Sequence, residues 1–162
     1  MPNIAEAAFN PELDLELILH TDIPGEAIWR AWTEPELLTK WFTPAPYITV
    51  EAEVDLRPGG IFRTVMQSPE GERIDNDGCM LRVDAPRSFT WTTNLRSGFR
   101  PNTTHLAVTA TITIADDPAG GTIYRATCMH DSAEARARHE EMGFTAGWTA
   151  AFEQLVALMR TA

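Results

Sequence analysis

A chain of 162 residues, 44% of them hydrophobic, fits a single globular domain with a real core and is not composed like a disordered segment. Its formal net charge of -10 repels phosphate backbones and anionic lipid heads, which sets nucleic acid and membrane surfaces aside as partners. No apolar run is long enough to span a bilayer, and Met1 to Leu13 lacks the basic and apolar regions of a secretory signal, so a cytoplasmic location is expected.

Met1 to Glu12 shows no periodicity and is expected to pack loosely. Leu13, Leu15, Leu17 and Leu19 then alternate with other residues, the pattern of a half-buried first strand. Thr21-Asp22-Ile23-Pro24 reads as a helix start, followed by Ile28, Trp29 and Trp32 at helical spacing. Thr33-Glu34-Pro35-Glu36 repeats that start, with Thr33 as the expected cap, for a second short helix carrying Leu37, Leu38, Trp41 and Phe42. Pro44 and Pro46 end it.

Strand-like runs follow at Tyr47–Leu56, Ile61–Met66, Gly78–Val83, Phe89–Asn94, His105–Ile114 and Thr122–His130. They are separated by Pro-Gly-Gly, Pro-Glu-Gly, Asp-Ala-Pro and Gly-Gly turns, and Arg96–Thr103 reads as a loop. Ser132 to Arg160 is rich in helix formers, with Phe144, Trp148, Ala151, Leu155 and Leu158 on one stripe. Gly143 and Gly147 interrupt it, and a kink is expected near Gly143.

The order is strand, two short helices, a run of strands and one long helix. It predicts an α+β domain over residues 1–162, a curved antiparallel sheet wrapped around the C-terminal helix. A gap between such a sheet and its helix suits a small molecule.

Several motifs, in this order, carry a resemblance. They are Ala31-Trp32-Thr33-Glu34-Pro35, Lys40-Trp41-Phe42, Asp55-Leu56-Arg57-Pro58-Gly59-Gly60, Ser68-Pro69-Glu70-Gly71-Glu72, Gly78, Pro86, Gly121-Thr122, Met142-Gly143-Phe144 and Gly147-Trp148. From Leu13 to Met159 the chain resembles the START-like (SRPBCC, helix-grip) superfamily, in the branch named after the activator of the heat-shock-chaperone ATPase. The resemblance implies a helix-grip fold with a mostly apolar cavity between sheet and C-terminal helix. The founding eukaryotic members of that branch stimulate a chaperone ATPase. No second domain that could clasp a chaperone is expected, so such a partner is possible but has no support in the sequence.

Chemistry-bearing residues are few. His130-Asp131 and His139-Glu140-Glu141 match no zinc or di-iron spacing, and His139 is expected on the solvated side of a continuous helix. No nucleophile elbow or phosphate loop is present. Cys79 and Cys128 have no CxxC spacing and read as buried, unpaired thiols. No catalytic residue, metal or cofactor is therefore assigned. Trp32, Trp41 and Phe42 are expected to pin the short helices onto the sheet edge.

The expected ligand-lining residues are Met66, Met80, Trp91, Tyr124, Phe144, Trp148 and Ala151. Arg63 and Arg82 lie within strand runs whose parity stays open, because both alternating sets contain apolar residues. An inward-facing arginine there would offer an anionic ligand a partner. The leading expectation is binding of a small, largely apolar molecule. The alternatives are a cyclase- or dehydratase-type enzyme acting on an aromatic or polyketide-like substrate, and a protein-interaction module. A weak homodimer is left open.

Overall fold

The computed structural model describes residues 4–161. Its elements in chain order are β1 (Asp14–Thr21), α1 (Gly25–Thr33), α2 (Pro35–Trp41), β2 (Ile48–Val54), β3 (Phe62–Gln67), β4 (Arg73–Asn76), β5 (Cys79–Asp84) and β6 (Ser88–Thr92). A small hairpin, β7 (Leu95–Arg96) and β8 (Arg100–Pro101), closes around a 3-10 turn at Ser97–Phe99. Then come β9 (Thr109–Asp116), β10 (Thr122–Met129), α3 (Ala133–Glu141) and α4 (Phe144–Thr161).

The strands form a five-stranded antiparallel sheet, β1-β10-β9-β6-β5, and a three-stranded one, β2-β3-β4. The two meet at a single bridge, Ile61 to Cys79. Beside it Gly59 N–H donates to the Met80 carbonyl, Met80 N–H to Gly60 and Phe62 N–H to Gly78.

Alternation sorts the side chains of the larger sheet. Leu15, Leu17, Tyr124, Ala126, Cys128, Ala110, Ile112, Ile114, Phe89 and Trp91 turn to the concave side and are buried there. The convex side carries threonines, with Thr90 bonded to Thr111 and Thr109 to Thr92. The N-terminal segment reaches this outer side, where Glu6 pairs with Arg82 at 2.7 Å. It is exposed as expected, yet fixed at that point.

Helices α1 and α4 pack on the concave side. In α1, Ile28, Ala31 and Trp32 are buried at spacings of three and four. Trp32 is thus in the middle of the concave face and not at the sheet edge, because α1 presents this stripe to β9 and α4. The first-turn proline of α2 is Pro35, but the cap position is Glu34. Thr33 instead donates its hydroxyl to the Trp29 carbonyl, ending α1.

The C-terminal helix is two helices. Gly143, at φ 94°, breaks the chain between them. Beyond the expected stripe, Phe152, Val156 and Met159 are also buried, so α4 is covered over a wider arc. The long strand expected from His105 begins only at Thr109, because Leu106 and Val108 give their carbonyls to Thr93. β4, absent from the sequence-based expectation, pairs with β3 across the Pro69–Glu72 turn.

Candidate functional site

The concave face is an aromatic cluster built on Trp32. Its ring lies 4.9 Å from Trp41, 5.4 Å from Phe42, 6.3 Å from Phe62, 5.3 Å from Phe89 and 5.3 Å from Trp91, centroid to centroid. Edge-to-face and offset contacts of this kind add to the burial of the rings themselves. Trp41 is oriented by its indole N–H, which donates to the Ala31 carbonyl at 2.9 Å.

The expected lining residues divide in three. Met80, Trp91 and Tyr124 are on the concave side of the sheet, Met80 directly opposite Trp91. Phe144, Trp148 and Ala151 come from α4. Trp148 stacks on Trp91 at 6.4 Å and lies tilted against Phe144 at 5.3 Å, centroid to centroid. Met66 is on the inner face of β3, in register with Thr49 and Ile74 and on the side of Phe62. Of the seven, Met66 and Trp148 are half-buried and the others buried.

The gap expected between sheet and helix is occupied by rings. Tyr124 stacks on Phe152 of α4 at 4.2 Å, bringing helix and sheet into direct contact. Two open clefts lie on the rim instead. One, of about 790 Å³, is bounded by β2, the Arg57–Ile61 turn and the 3-10 turn. The other, of about 400 Å³, runs between the end of β1 and α4.

Strand parity settles the two arginines. Arg82 is opposite Thr90 on the convex face, held by Glu6 and Ser88. Arg63 makes a two-pronged pair with Asp75, with Glu51 and Glu53 nearby, and is on the opposite face from Phe62. Neither points into the aromatic cluster.

His139 corrects its expectation. It is buried, its ring edge-on to Phe144 at 5.1 Å. The break at Gly143 turns α3 back so that His139 faces inward. His130 Nδ1 donates to the Leu13 carbonyl at 2.7 Å, and its Nε2 then accepts from His139 Nδ1 at 2.9 Å. Burial and the neighbouring His130 lower the pKa of His139 to about 4. Among the described residues no cluster of three or more metal-ligating side chains occurs.

Other titratable groups here are held neutral. Burial raises the Tyr124 phenol far above its usual range, and burial together with Asp14 does the same for the Cys128 thiol. Cys79 and Cys128 are both buried and unpaired, as expected.

Sequence reading missed Gln154. Its Nε2 donates to the carbonyls of Trp41 and Thr43, and its Oε1 accepts from Ala45 N–H, tying α4 to the end of α2. A glutamine amid apolar helix positions was the only signal. It also missed Trp32 Nε1, a buried donor with no hydrogen-bond partner.

An antiparallel sheet gripping a C-terminal helix, with two short helices after the first strand and an aromatic concave face, defines a helix-grip domain. The chain belongs to the family described as Activator of Hsp90 ATPase homolog 1-like protein, matched over residues 22–160. It is similar to protein NE0264 from Nitrosomonas europaea, at 42% identity and a TM-score of 0.90, over 94% of this chain and 97% of that one. Protein Ms6760 from Mycobacterium smegmatis is similar at 30% identity and a TM-score of 0.75, over 91% and 90% of the two chains. A protein from Rhodobacter sphaeroides shares the fold at 20% identity and a TM-score of 0.81, over 94% and 97%. No curated protein matches the chain. Among the described residues no helix is long and apolar enough to cross a membrane.

Proposed function

We propose that the chain binds a small, largely apolar molecule between the sheet and α4, which enters beside Trp148 by parting the rings that fill the gap. One observation carries this reading. Trp148 stacks on the buried Trp91 yet keeps part of its own surface in water, at the start of a helix that follows the Gly143 break. Partly exposed ring surface beside an aromatic core is what an apolar ligand covers. Met66 on β3 is the other half-buried wall residue.

The polar content of the wall favours binding over catalysis. A general acid or base works best with a pKa near the working pH. Tyr124 is held protonated by burial, and His139 is held neutral with its Nδ1 engaged on His130. Arg63 and Arg82 face away.

The test is titration of the neutral apolar dye N-phenyl-1-naphthylamine into wild type and Trp148→Ala, with native mass spectrometry of freshly purified protein. Saturable binding to one site, weakened in the variant, is expected. Unsaturable binding that ignores the substitution overturns the reading.

A further inference from the structure

The five-stranded sheet ends at β1, and one side of that strand has no neighbouring strand. The Leu13 carbonyl accepts from His130 N–H, so Leu13, Leu15, Leu17 and Leu19 turn their backbone groups toward β10 and the residues between them turn theirs outward. Asp14 is engaged on that side: its N–H donates to the Asn10 carbonyl, and its own carbonyl accepts from Arg136 Nε. Among the described residues nothing bonds the outward N–H and C=O of Glu16, Ile18 and His20. Helix α4 does not close over this edge, since the cleft of about 400 Å³ opens between α4 and Leu19, His20 and Thr21. Free edges are commonly blunted by a lysine, a proline or a bulge. β1 has no lysine or proline and pairs with β10 without a register shift. The opposite edge strand, β5, is bulged between Met80 and Arg82. Ile18, in the middle of the free stretch, is 42% exposed on the convex face.

We propose that two copies of the chain pair through this edge, β1 against β1 and antiparallel, about a twofold axis at Ile18. The strand's own sequence selects a second copy as the occupant. Centred on Ile18, the register sets Glu16 of one copy opposite His20 of the other and Ile18 opposite Ile18, so every free N–H and C=O of these residues meets a partner. Centred on Leu17, it would set His20 against Asp14, whose groups are taken, and centred on Leu19 it would set Glu16 against Asp22, beyond the end of the strand. The register that satisfies the backbone also matches the side chains. A carboxylate faces an imidazole on either side of the axis, and the exposed isoleucines cover each other at its centre. Glu16 and His20 keep their own neighbours, Arg125 and Asp117, within each copy. The two sheets become one continuous sheet, and neither copy keeps a free β1 edge.

Each copy carries a net charge of -10, so association is measured at high protein concentration in about 0.3 M salt, where the repulsion is screened. Sedimentation at about 1 mM protein should show dimer, and Ile18→Lys, a charge at an exposed position, should weaken association at least about tenfold while the chain stays folded. Thiols test the register, and the native Cys79 and Cys128 are buried and do not compete. Under oxidised glutathione Ile18→Cys should link to itself, with its counterpart Cα about 5.5 Å away. Glu16→Cys should not link to itself, being about 13 Å from its counterpart, but should link to His20→Cys when the two variants are mixed. In the wild type the amides of Glu16, Ile18 and His20 should gain protection from exchange as the concentration rises. A monomer at about 1 mM overturns the proposal. So does a dimer that ignores Ile18→Lys, or one in which Glu16→Cys links to itself as readily as Ile18→Cys, since another surface or register then holds it. If Ile18→Cys in cell extract links to a different protein and never to itself, the edge serves that partner and a second copy is excluded.

Discussion

Trp148 and Trp91 lie nearly parallel, ring centroids 6.4 Å apart and planes 17° from each other. One ring belongs to the helix and the other to the sheet. Trp91 is 6% exposed while Trp148 is half-buried, so the stack runs from the core out to the rim.

That gradient predicts unequal costs. Trp32→Ala empties the centre of the cluster and should cost about 3–5 kcal/mol, a large part of a total stability of about 5–15 kcal/mol. Trp148→Ala removes a ring that already lacks packing on one side and should cost about 1–2 kcal/mol. Urea unfolding of both variants measures the difference. Equal losses would place Trp148 in the packed core.

Acid should destabilise the fold through His139. Its folded pKa of about 4 is below the ordinary value of 6.5, so the unfolded chain binds the proton more readily. The stability from keeping it neutral is fully present above about pH 6.5, declines as the pH falls, and is gone below about pH 4, about 3 kcal/mol in all. His139→Phe should flatten this part of the curve when unfolding is followed from pH 7 to pH 4.5. An unchanged slope would mean that other groups set it.

Gln154 serves three backbone groups at once. Gln154→Leu keeps the packing volume but strands two carbonyls and an N–H. A loss of about 1–3 kcal/mol is expected. Faster amide exchange at Ala45 should accompany it, and protection there equal to wild type would contradict the clamp.

Gly60 and Gly71 separate two reasons for glycine. A Cβ on Gly60 would run into the Asp55 carbonyl oxygen, part of the turn that holds the seam between the sheets. Gly60→Ala should therefore cost more than about 3 kcal/mol or prevent folding. Gly71 sits at φ 91° in open space, so Gly71→Ala meets only backbone strain, about 1–2 kcal/mol. Thermal unfolding of both ranks them, and the reverse order would refute this account of the turn.

Much of the architecture was legible because it is periodic. The leucines of β1, the paired helix starts and the α4 stripe all repeat at the spacing of their element. What could not be read depended on where elements meet. Trp32 looked like an edge residue because local spacing cannot say which way α1 crosses the sheet. The inward turn of His139 needed the break at Gly143 together with the position of His130, nine residues away. The directions of Arg63 and Arg82 followed only from pairing with Glu53 and Thr90. The lining residues were found by type, but that Met66 and Trp148 are the half-buried ones is a property of packing.

The narrow seam at Ile61 and Cys79 has a mechanical meaning. The domain is two leaves on a short spine, and parting them breaks only the backbone bonds around Gly59, Gly60 and Phe62 where a full ladder would otherwise run. Side chains reinforce the join: Phe62 contacts Trp91 of the larger leaf and Trp32 and Phe42 of the helical layer, and α2 packs along β2. Aromatic side chains thus act as the glue of a clasp, and whatever wedges between or bridges those rings also sets how tightly the clasp is shut. In hydrogen exchange, the amides of β3 and β4 should open ahead of those in β9 and β10.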